Sequence, residues 1–457
     1  MQVLNRRSYL DHKLSRISGI QSGIIFNFRI FNKGIDDMGG LNIVTGGMPE
    51  YTKLLISPDH DMSYHISGYG NFFEEADIRF MGESVERYAG ITAHILHEPR
   101  IRYCSRAELV NEGHKVMPLN LLAGLDQEQL AKMNKFNKIY RVERFTEDDK
   151  MHWVQAMALQ DFDQTIWVPA SSFFIGFTKD QIQMPSFTTG TACHEDIYRA
   201  FINSILEYVQ IDAFMLHWYT DLPKQQIAFE SLPQNLQSAI ERSLGDNVSR
   251  YEILYVNYSD QATVNIPIVG VFILAKDETS YPRIAFGVQA GMDLDNAIYR
   301  GTQEALAVLE MSTYVPVNNP EIIELARDPG NNFFDLDSNV AFYALPEKEK
   351  ENREFIYKYI NETITYQEYA DSFNLPTGKT GKEKYAARLE WLLQGVNSFS
   401  EYGCFLDITP TNIKDPTMLV MRVFIPELMQ MSFPGFPYKL HPRYEGLNLE
   451  TYPHALP

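Results

Sequence analysis

SGYGNFFEEADIRFMGESVERY, residues 67–88, opens on small residues and passes into a helical period. Ile78, Met81, Val85 and Tyr88 recur at spacings of three and four, which marks one apolar helical face and predicts a helix over about 74–95. Asn71 with Glu74 three positions later has the form of its N-terminal cap. The plan occurs twice more. Counted from Gly70, His194 and Gly291, an alanine stands six positions on (Ala76, Ala200, Ala297) and a glutamate thirteen positions on (Glu83, Glu207, Glu304). Each window follows small residues: Ser67-Gly68-Tyr69-Gly70, Thr188-Thr189-Gly190-Thr191-Ala192 and Gly287-Val288-Gln289-Ala290-Gly291. We read each as a glycine or threonine turn leading into a helix. The alanine and the glutamate lie two helical turns apart and share a face, where alanine permits close packing and the glutamate projects.

The second and third windows predict helices over about 195–218, with Ile197, Phe201, Ile205 and Val209 on one stripe, and about 293–311. Runs rich in β-branched and aromatic residues predict strands at 23–31, 165–169, 251–258, 263–275, 282–287 and 418–426. Strands mixed with long helices point to α/β or α+β layers. Polar stretches at 318–332 and 347–384 read as surface insertions or helical excursions, and no Pro/Gly/Ser linker divides the chain, so residues 1–457 are expected to form a single domain.

With 457 residues, 45% of them hydrophobic, the chain can bury an enzyme-sized core. A formal charge of -19 argues against a broad footprint on nucleic acid or anionic lipid, and an acidic protein that handles phosphate must bring in cations. Cys104, Cys193 and Cys404 lack the paired spacing of zinc or disulfide frameworks, which fits a reducing cytoplasm. Residues 1–16 have no signal-type apolar core and the apolar run 266–275 is too short to span a bilayer, so the expectation is a soluble protein.

Glu83, Glu86 and Arg87 fall on neighbouring positions of one helical face. Two carboxylates there repel. A hard divalent cation shared with phosphate oxygens, such as Mg²⁺, would resolve the repulsion; so would an i, i+4 pair between Glu83 and Arg87 on a solvated face. Glu207 and Gln210 are again three apart, amid Ile205, Leu206, Val209 and Ile211, where a carboxylate needs a donor or a charge. Arg300 precedes Glu304 by four, the less favourable order for a helix-stabilising pair, which suits Arg300 to clamping phosphate oxygens. Thr377-Gly378-Lys379-Thr380 lacks the first glycine of a phosphate loop, position 373 being phenylalanine, and reads as a turn. His194 reads as a cap or packing residue, and Cys193 as a small buried one.

Taken in order, Gly82-Glu83-Ser84-Val85-Glu86-Arg87-Tyr88, the 190–212 block and Arg300-Gly301-Thr302-Gln303-Glu304 resemble the three nucleotide-binding signatures of the YcaO family. The resemblance is good over 68–311 and loose elsewhere. Within the family, the Thr-Gly-Thr-Ala block and Gln210-Ile211-Asp212 are most similar to the streptolysin-type cyclodehydratase component (D protein). The resemblance implies an α/β fold with mixed sheets and helices around a central nucleotide site. It implies Mg²⁺ held by Glu83, Glu86, Glu207 and Glu304, and ATP contacts from Arg87, Gln210, Arg300 and Glu304. It further implies cyclodehydration of Cys, Ser or Thr in a ribosomally made precursor peptide to thiazoline or oxazoline, through phosphorylation of the amide oxygen. A ubiquitin-activating-enzyme-like leader-binding protein and a flavin-dependent azoline dehydrogenase are the implied partners, and a homodimer is compatible with it.

This chain also departs from the pattern. Arg79 stands where serine is usual, Arg199 where an acidic residue is frequent, and Ile211 where arginine follows the second pair. Cyclodehydrating members end in alternating prolines, with the terminal carboxylate implicated in catalysis. Here the end is Tyr452-Pro453-His454-Ala455-Leu456-Pro457, with Ala455 in the middle place. The resemblance implies that residues 450–457 reach the active site and that the Pro457 carboxylate removes a proton. The departures leave open thioamide or amidine formation by the same activation, and a non-catalytic scaffold subunit.

Overall fold

The computed structural model describes residues 6–19, 23–31, 40–55, 58, 66–136, 141–175, 177, 179–327, 336–377, 380–413 and 418–456. Three sheets organise them. β1 (Asn27–Phe31), β2 (Asn42–Gly47) and β3 (Ile66–Gly70) form an antiparallel sheet in that order. A six-stranded sheet joins β4 (Ile101–Ser105), β5 (Lys150–Ala158), β6 (Thr165–Pro169), β7 (Thr191–His194), β13 (Cys404–Asp407) and β14 (Leu419–Phe424). Its order is β4-β5-β13-β14-β7, with β6 also paired to β5. The third sheet has β8 (Lys224–Ile227), β9 (Tyr251–Asn257), β10 (Ile268–Ala275), β11 (Ile284–Ala290) and β12 (Ile360–Ile364), in the order β11-β10-β9-β8-β12. This confirms a mixed α/β architecture.

Each sheet gives one strand that feeds a long helix. β3 leads into α1 (Phe73–Leu96), β7 into α2 (Ile197–Trp218) and β11 into α3 (Leu294–Asn318). Ala76, Ala200 and Ala297, the repeated alanines, are all fully buried. The helices lie tight on their strands. A Cβ at Gly68 would stand 2.0 Å from the Ala76 carbonyl oxygen and 2.3 Å from the Phe80 nitrogen; one at Gly287 would stand 2.6 Å from the Ala305 nitrogen. The small-residue stretches of the first and third windows are therefore strands, not turns: glycine is there because helix backbone occupies the space of a side chain. In the second window Gly190 does turn, with φ +84°, before β7 begins.

α2 is the central helix. From Ser204 to Trp218 every residue but Glu207 is buried, the pattern of a helix enclosed on all sides. Asp212 in its middle is fully buried, and it is matched by the Arg443 guanidinium at 2.8 Å and the Met429 N–H at 2.9 Å. This pair ties α2 to the C-terminal segment.

Several expectations are corrected. Phe72, not Asn71, is the N-cap of α1 and caps with no side-chain bond. Asn71 instead accepts a hydrogen bond from Ser243 at 2.9 Å, and its N–H goes to Glu75 at 3.1 Å. Ile78 and Ile197 are exposed, because Phe80 and Met81 in α1 and Ala200 and Phe201 in α2 take the inward positions. α3 runs to Asn318 rather than ending near 311. The strand expected at 263–275 begins only at Ile268, and that expected at 282–287 is Ile284–Ala290. Within 318–384, α4 (Leu336–Ala344) and β12 are part of the body, and the buried Tyr369 hydroxyl lies 2.6 Å from the Ser259 hydroxyl. No helix among the described residues is long and apolar enough to cross a membrane.

Gly68→Ala tests the strand-on-helix contact. The added methyl meets backbone, which cannot rotate away, so we expect a loss of roughly 1–3 kcal/mol, read as a lower urea midpoint at unchanged slope.

Candidate active site

The repeated glutamates do one thing in common. Each reaches back from its helix to a backbone N–H of its own repeat: Glu83 to Ser67 at 3.0 Å, Glu207 to Gly190 at 3.2 Å and Glu304 to Val288 at 3.0 Å. Thr191, the counterpart of Ser67 and Val288 in the window count, also donates its N–H to Glu207. The carboxylates are thereby seated over the strands rather than in open water. Side-chain exposures of 27% for Glu83 and 26% for Arg87 exclude both a freely solvated face and a sealed core.

Three further hydrogen bonds join the repeats in a ring. Arg87 donates to the Thr188 hydroxyl at 2.9 Å, linking the first to the second. The Ala290 N–H donates to Gln210 Oε1 at 2.7 Å, linking the second to the third. Arg79 donates to Gln303 Oε1 at 2.7 Å and to its own repeat's Tyr69 carbonyl at 2.5 Å, closing third to first. Arg87 also pairs with Glu83 at 3.3 Å, so the i, i+4 pair and the cross-repeat contact coexist.

The ring concentrates negative charge. Burial, then the neighbouring Glu207 charge, pushes Glu86 well above the usual carboxylate range, against Arg87 and the Cys193 N–H. Burial raises Glu207 to about 7, offset in part by Arg87, Arg422 and the Gly190 and Thr191 N–H groups. Burial likewise raises Glu304 to about 7, against the Val288 N–H and Arg300. Tyr69 is raised by burial and then by Glu304, and it feels Arg300, Arg79 and Glu83 as well, which places the first and third repeats in one field. Among the described residues the buried Arg300 Nε has no hydrogen-bond partner. A groove of about 370 Å³ between Phe162 and Leu389 lies apart and is lined by none of these groups.

Two residues went unnoticed in the sequence. Arg422 on β14 is 2% exposed and donates to the Phe173 and Thr189 carbonyls and the Thr191 hydroxyl, while its charge bears on Glu207 and Glu86. A lone arginine in Leu419-Val420-Met421-Arg422-Val423-Phe424 was the available signal. Tyr69 was hidden in a glycine-rich run read as a turn. Of the departures, Arg79 is absorbed by Gln303 and Tyr69, Arg199 lies over the Tyr385 ring at 5.2 Å, and Ile211 is buried in the core. His194 accepts the Asp196 N–H at 2.9 Å ahead of α2. Cys193 is half-buried rather than buried, and its backbone N–H is given to Glu86. Pro457, like Gly378 and Lys379, lies outside the described residues.

A family model described as "YcaO cyclodehydratase, ATP-ad Mg2+-binding" matches residues 67–429. No curated protein matches the chain. Among solved structures, a heterocyclase in complex with substrate and cofactor superposes with TM-score 0.68 at 15% identity, covering 98% of this chain and 57% of that one. The chain thus spans little more than half the length of that heterocyclase. YcaO from Methanopyrus kandleri, bound with AMPPCP and Mg²⁺, superposes with TM-score 0.58 at 17% identity, covering 94% of this chain and 96% of that one. The E. coli microcin synthetase McbBCD complex with pro-MccB17 bound gives TM-score 0.54 at 14% identity, with 90% of each chain covered. At these identities the likeness shows the fold.

The residues present fit the family's cofactors. Among the described residues no three His, Cys, Asp or Glu side chains form a ready-made metal cage. Mg²⁺ ordinarily takes one or two carboxylates and completes its shell with phosphate oxygens and water, so gathered but uncaged glutamates suit a metal that arrives with a nucleotide. The raised carboxyls of Glu86, Glu207 and Glu304 are groups that a cation would return to the charged form.

A carboxyl raised from 4.5 to about 7 favours the folded state only while protonated, so its share of stability is present below about 4.5 and is lost as pH rises through about 7. Without ATP and Mg²⁺, the wild type should therefore lose denaturant stability over that window relative to Glu304→Gln. Parallel pH profiles for the two proteins would contradict the burial of this charge. With a family model spanning 67–429 and three repeats seating their glutamates alike, the chain belongs to the YcaO family, and ATP and Mg²⁺ are its cofactors.

Proposed function

We propose that the chain, as one catalytic domain, uses ATP to cyclodehydrate Cys, Ser or Thr of a ribosomally made precursor peptide to thiazoline or oxazoline. The reading is supported by the ring of three strand–helix repeats, in which Glu86 feels the charges of Glu83, Glu207 and Arg87, and Tyr69 feels those of Glu83, Glu304 and Arg300. Phosphoryl transfer asks a protein for positioning and charge neutralisation more than for covalent chemistry, and such a ring supplies both. Bound ATP supplies the phosphoryl group that lets the former amide oxygen leave as phosphate, and Mg²⁺ neutralises the phosphate charge. Glu83, Glu86, Glu207 and Glu304 would hold the metal. Arg87, Gln210 and Arg300, with Glu304, would hold the nucleotide, and among the described residues the Arg300 Nε is a donor without a partner. Arg422 would favour the ionised forms of Glu207 and Glu86 against the cost of their burial. Proton removal from the attacking side chain falls in this reading to the Pro457 carboxylate.

The precursor peptide as partner is supported by the likeness to a microcin synthetase complex with its pro-peptide bound. A separate ubiquitin-activating-enzyme-like protein would grip the leader, and a flavin dehydrogenase would act on the azolines afterwards. One observation favours a second reading, a non-catalytic scaffold subunit: Arg79, in place of a serine, is committed to Gln303 and Tyr69 and has its charge opposed by Arg300.

The deciding measurement is peptide-dependent phosphate release by the chain with its leader-binding partner. Phosphate together with a loss of about 18 Da per event is the expected result. A sulfur-for-oxygen gain would mean thioamidation, and assembly without phosphate release would favour the scaffold. Glu83→Gln and Glu304→Gln should each lower kcat by about 100-fold or more while remaining folded, with Glu304→Gln no less stable than wild type at neutral pH. The glutamine oxygen can still accept the Ser67 or Val288 N–H, so the fold is kept while the charge is lost.

A further inference from the structure

The segment 452–456 is held by contacts that the carboxylate ring does not require. Pro453, His454, Ala455 and Leu456 are buried, and the chain bends at Ala455. Three of its carbonyls meet donors from α4. The Tyr343 hydroxyl donates to the Pro453 carbonyl at 2.5 Å, and the Asn339 amide donates to the His454 carbonyl at 2.8 Å and to the Leu456 carbonyl at 3.0 Å. Asn339 and Tyr343 are four residues apart and share a helical face. Asn339 is fully buried, and among the described residues its Oδ1 has no partner. A leucine of the same branched shape would carry no such orphaned acceptor, so the position has a use for the two N–H groups.

The other side of the segment packs on α2. Trp218 Nε1 donates to the Tyr452 carbonyl at 3.1 Å, and the His454 ring meets Phe214 edge-on at 6.2 Å. Phe214 stands one helical turn past Gln210. Farther back, Glu450 is gripped by Lys358 at 2.6 Å and by the Tyr359 hydroxyl. The segment is thus fixed at 450 by Lys358 and Tyr359, at 452 and 454 by Trp218 and Phe214 of the helix that bears Glu207 and Gln210, and at 453, 454 and 456 by α4.

We infer that Asn339 is a positioning residue for the reaction: its amide bridges the carbonyls on either side of Ala455, closes the bend there and sets how the tail lies against α2 at Phe214 and Trp218. Proline would restrict the backbone at 455 from within the chain. With alanine there, Asn339 supplies the restriction from outside. The inference rests on the proposed ring-forming activity for its catalytic consequence and on the hydrogen bonds alone for its structural one.

The test uses the full chain with its leader-binding partner, a precursor peptide and Asn339→Leu. The expected result is a fall in kcat of about tenfold or more for peptide-dependent phosphate release, with the KM for ATP within about twofold of wild type. Amide exchange over 452–456 should quicken by about tenfold. In a chain lacking 453–457, adding Asn339→Leu should change kcat no further. Unchanged kcat in an active wild-type background, a parallel rise in the KM for ATP, a further loss in the shortened chain, or unchanged exchange would each overturn the inference. Should wild type release no phosphate, the ring-forming reading falls, and exchange over 452–456 decides the clamp by itself. If Asn339→Leu does not fold, Tyr343→Phe removes only the hydroxyl on the Pro453 carbonyl. It should show the same split at about threefold, and an unchanged kcat for it overturns the inference equally.

Discussion

A glutamate bonded to backbone N–H groups in, or just ahead of, the strand before its own helix is the interaction on which the rest depends. It occurs three times, and each time it converts a flexible acidic side chain into a fixed acceptor at a set height above a sheet. A carboxylate that takes a backbone N–H is stabilised as the anion, and burial works in the opposite direction. The balance leaves Glu207 and Glu304 near 7, where a nearby cation decides their charge state. Because the three helices rise from three different sheets, the fold has to bring the sheets together before the acidic groups can meet. Arg87, Gln210 and Arg79 are the side chains that make those joins.

The acidic balance of the whole chain fits this arrangement. A protein of charge -19 repels a triphosphate at long range, and only local cations can reverse that. Arg87, Arg300, Arg79 and the buried Arg422 are the local cations the fold retains, and a divalent metal adds to them. Arg422 costs desolvation, and its hydrogen bonds to two carbonyls and two hydroxyls show how the fold tolerates it.

Much of this was legible in the sequence because the repeat is periodic. The alanine and glutamate offsets could be counted, and both residue types turned out to occupy equivalent places. What could not be counted was less legible. β3 reads as a turn because Ser67-Gly68-Tyr69-Gly70 has the composition of one, and only the position of the α1 backbone explains why glycine is needed in a strand. β5 was missed because Lys150–Ala158 is rich in Met, Gln and Ala, residues with weak strand preference, and is held by partners on both sides. Asn71 looks like a cap, but Ser243 of a distant segment claims its side chain. Arg422 and Asn339 matter through partners more than 100 residues away, which no local window displays.

Asp212 and Arg443 meet at 2.8 Å, 231 residues apart, with the aspartate sealed from solvent. A stretch of polypeptide carrying all three repeats, but ending after the third, would keep that aspartate in an apolar helix and discard its counter-charge, a change of a kind that costs about 3–5 kcal/mol. The same cut would strip β13 and β14 from between β5 and β7, taking from β7 its pairing with β14 and from β5 its pairing at Met157 and Ala158. The portion that speaks most clearly of nucleotide chemistry is therefore not an excisable module; it borrows its rigidity from the final quarter of the chain.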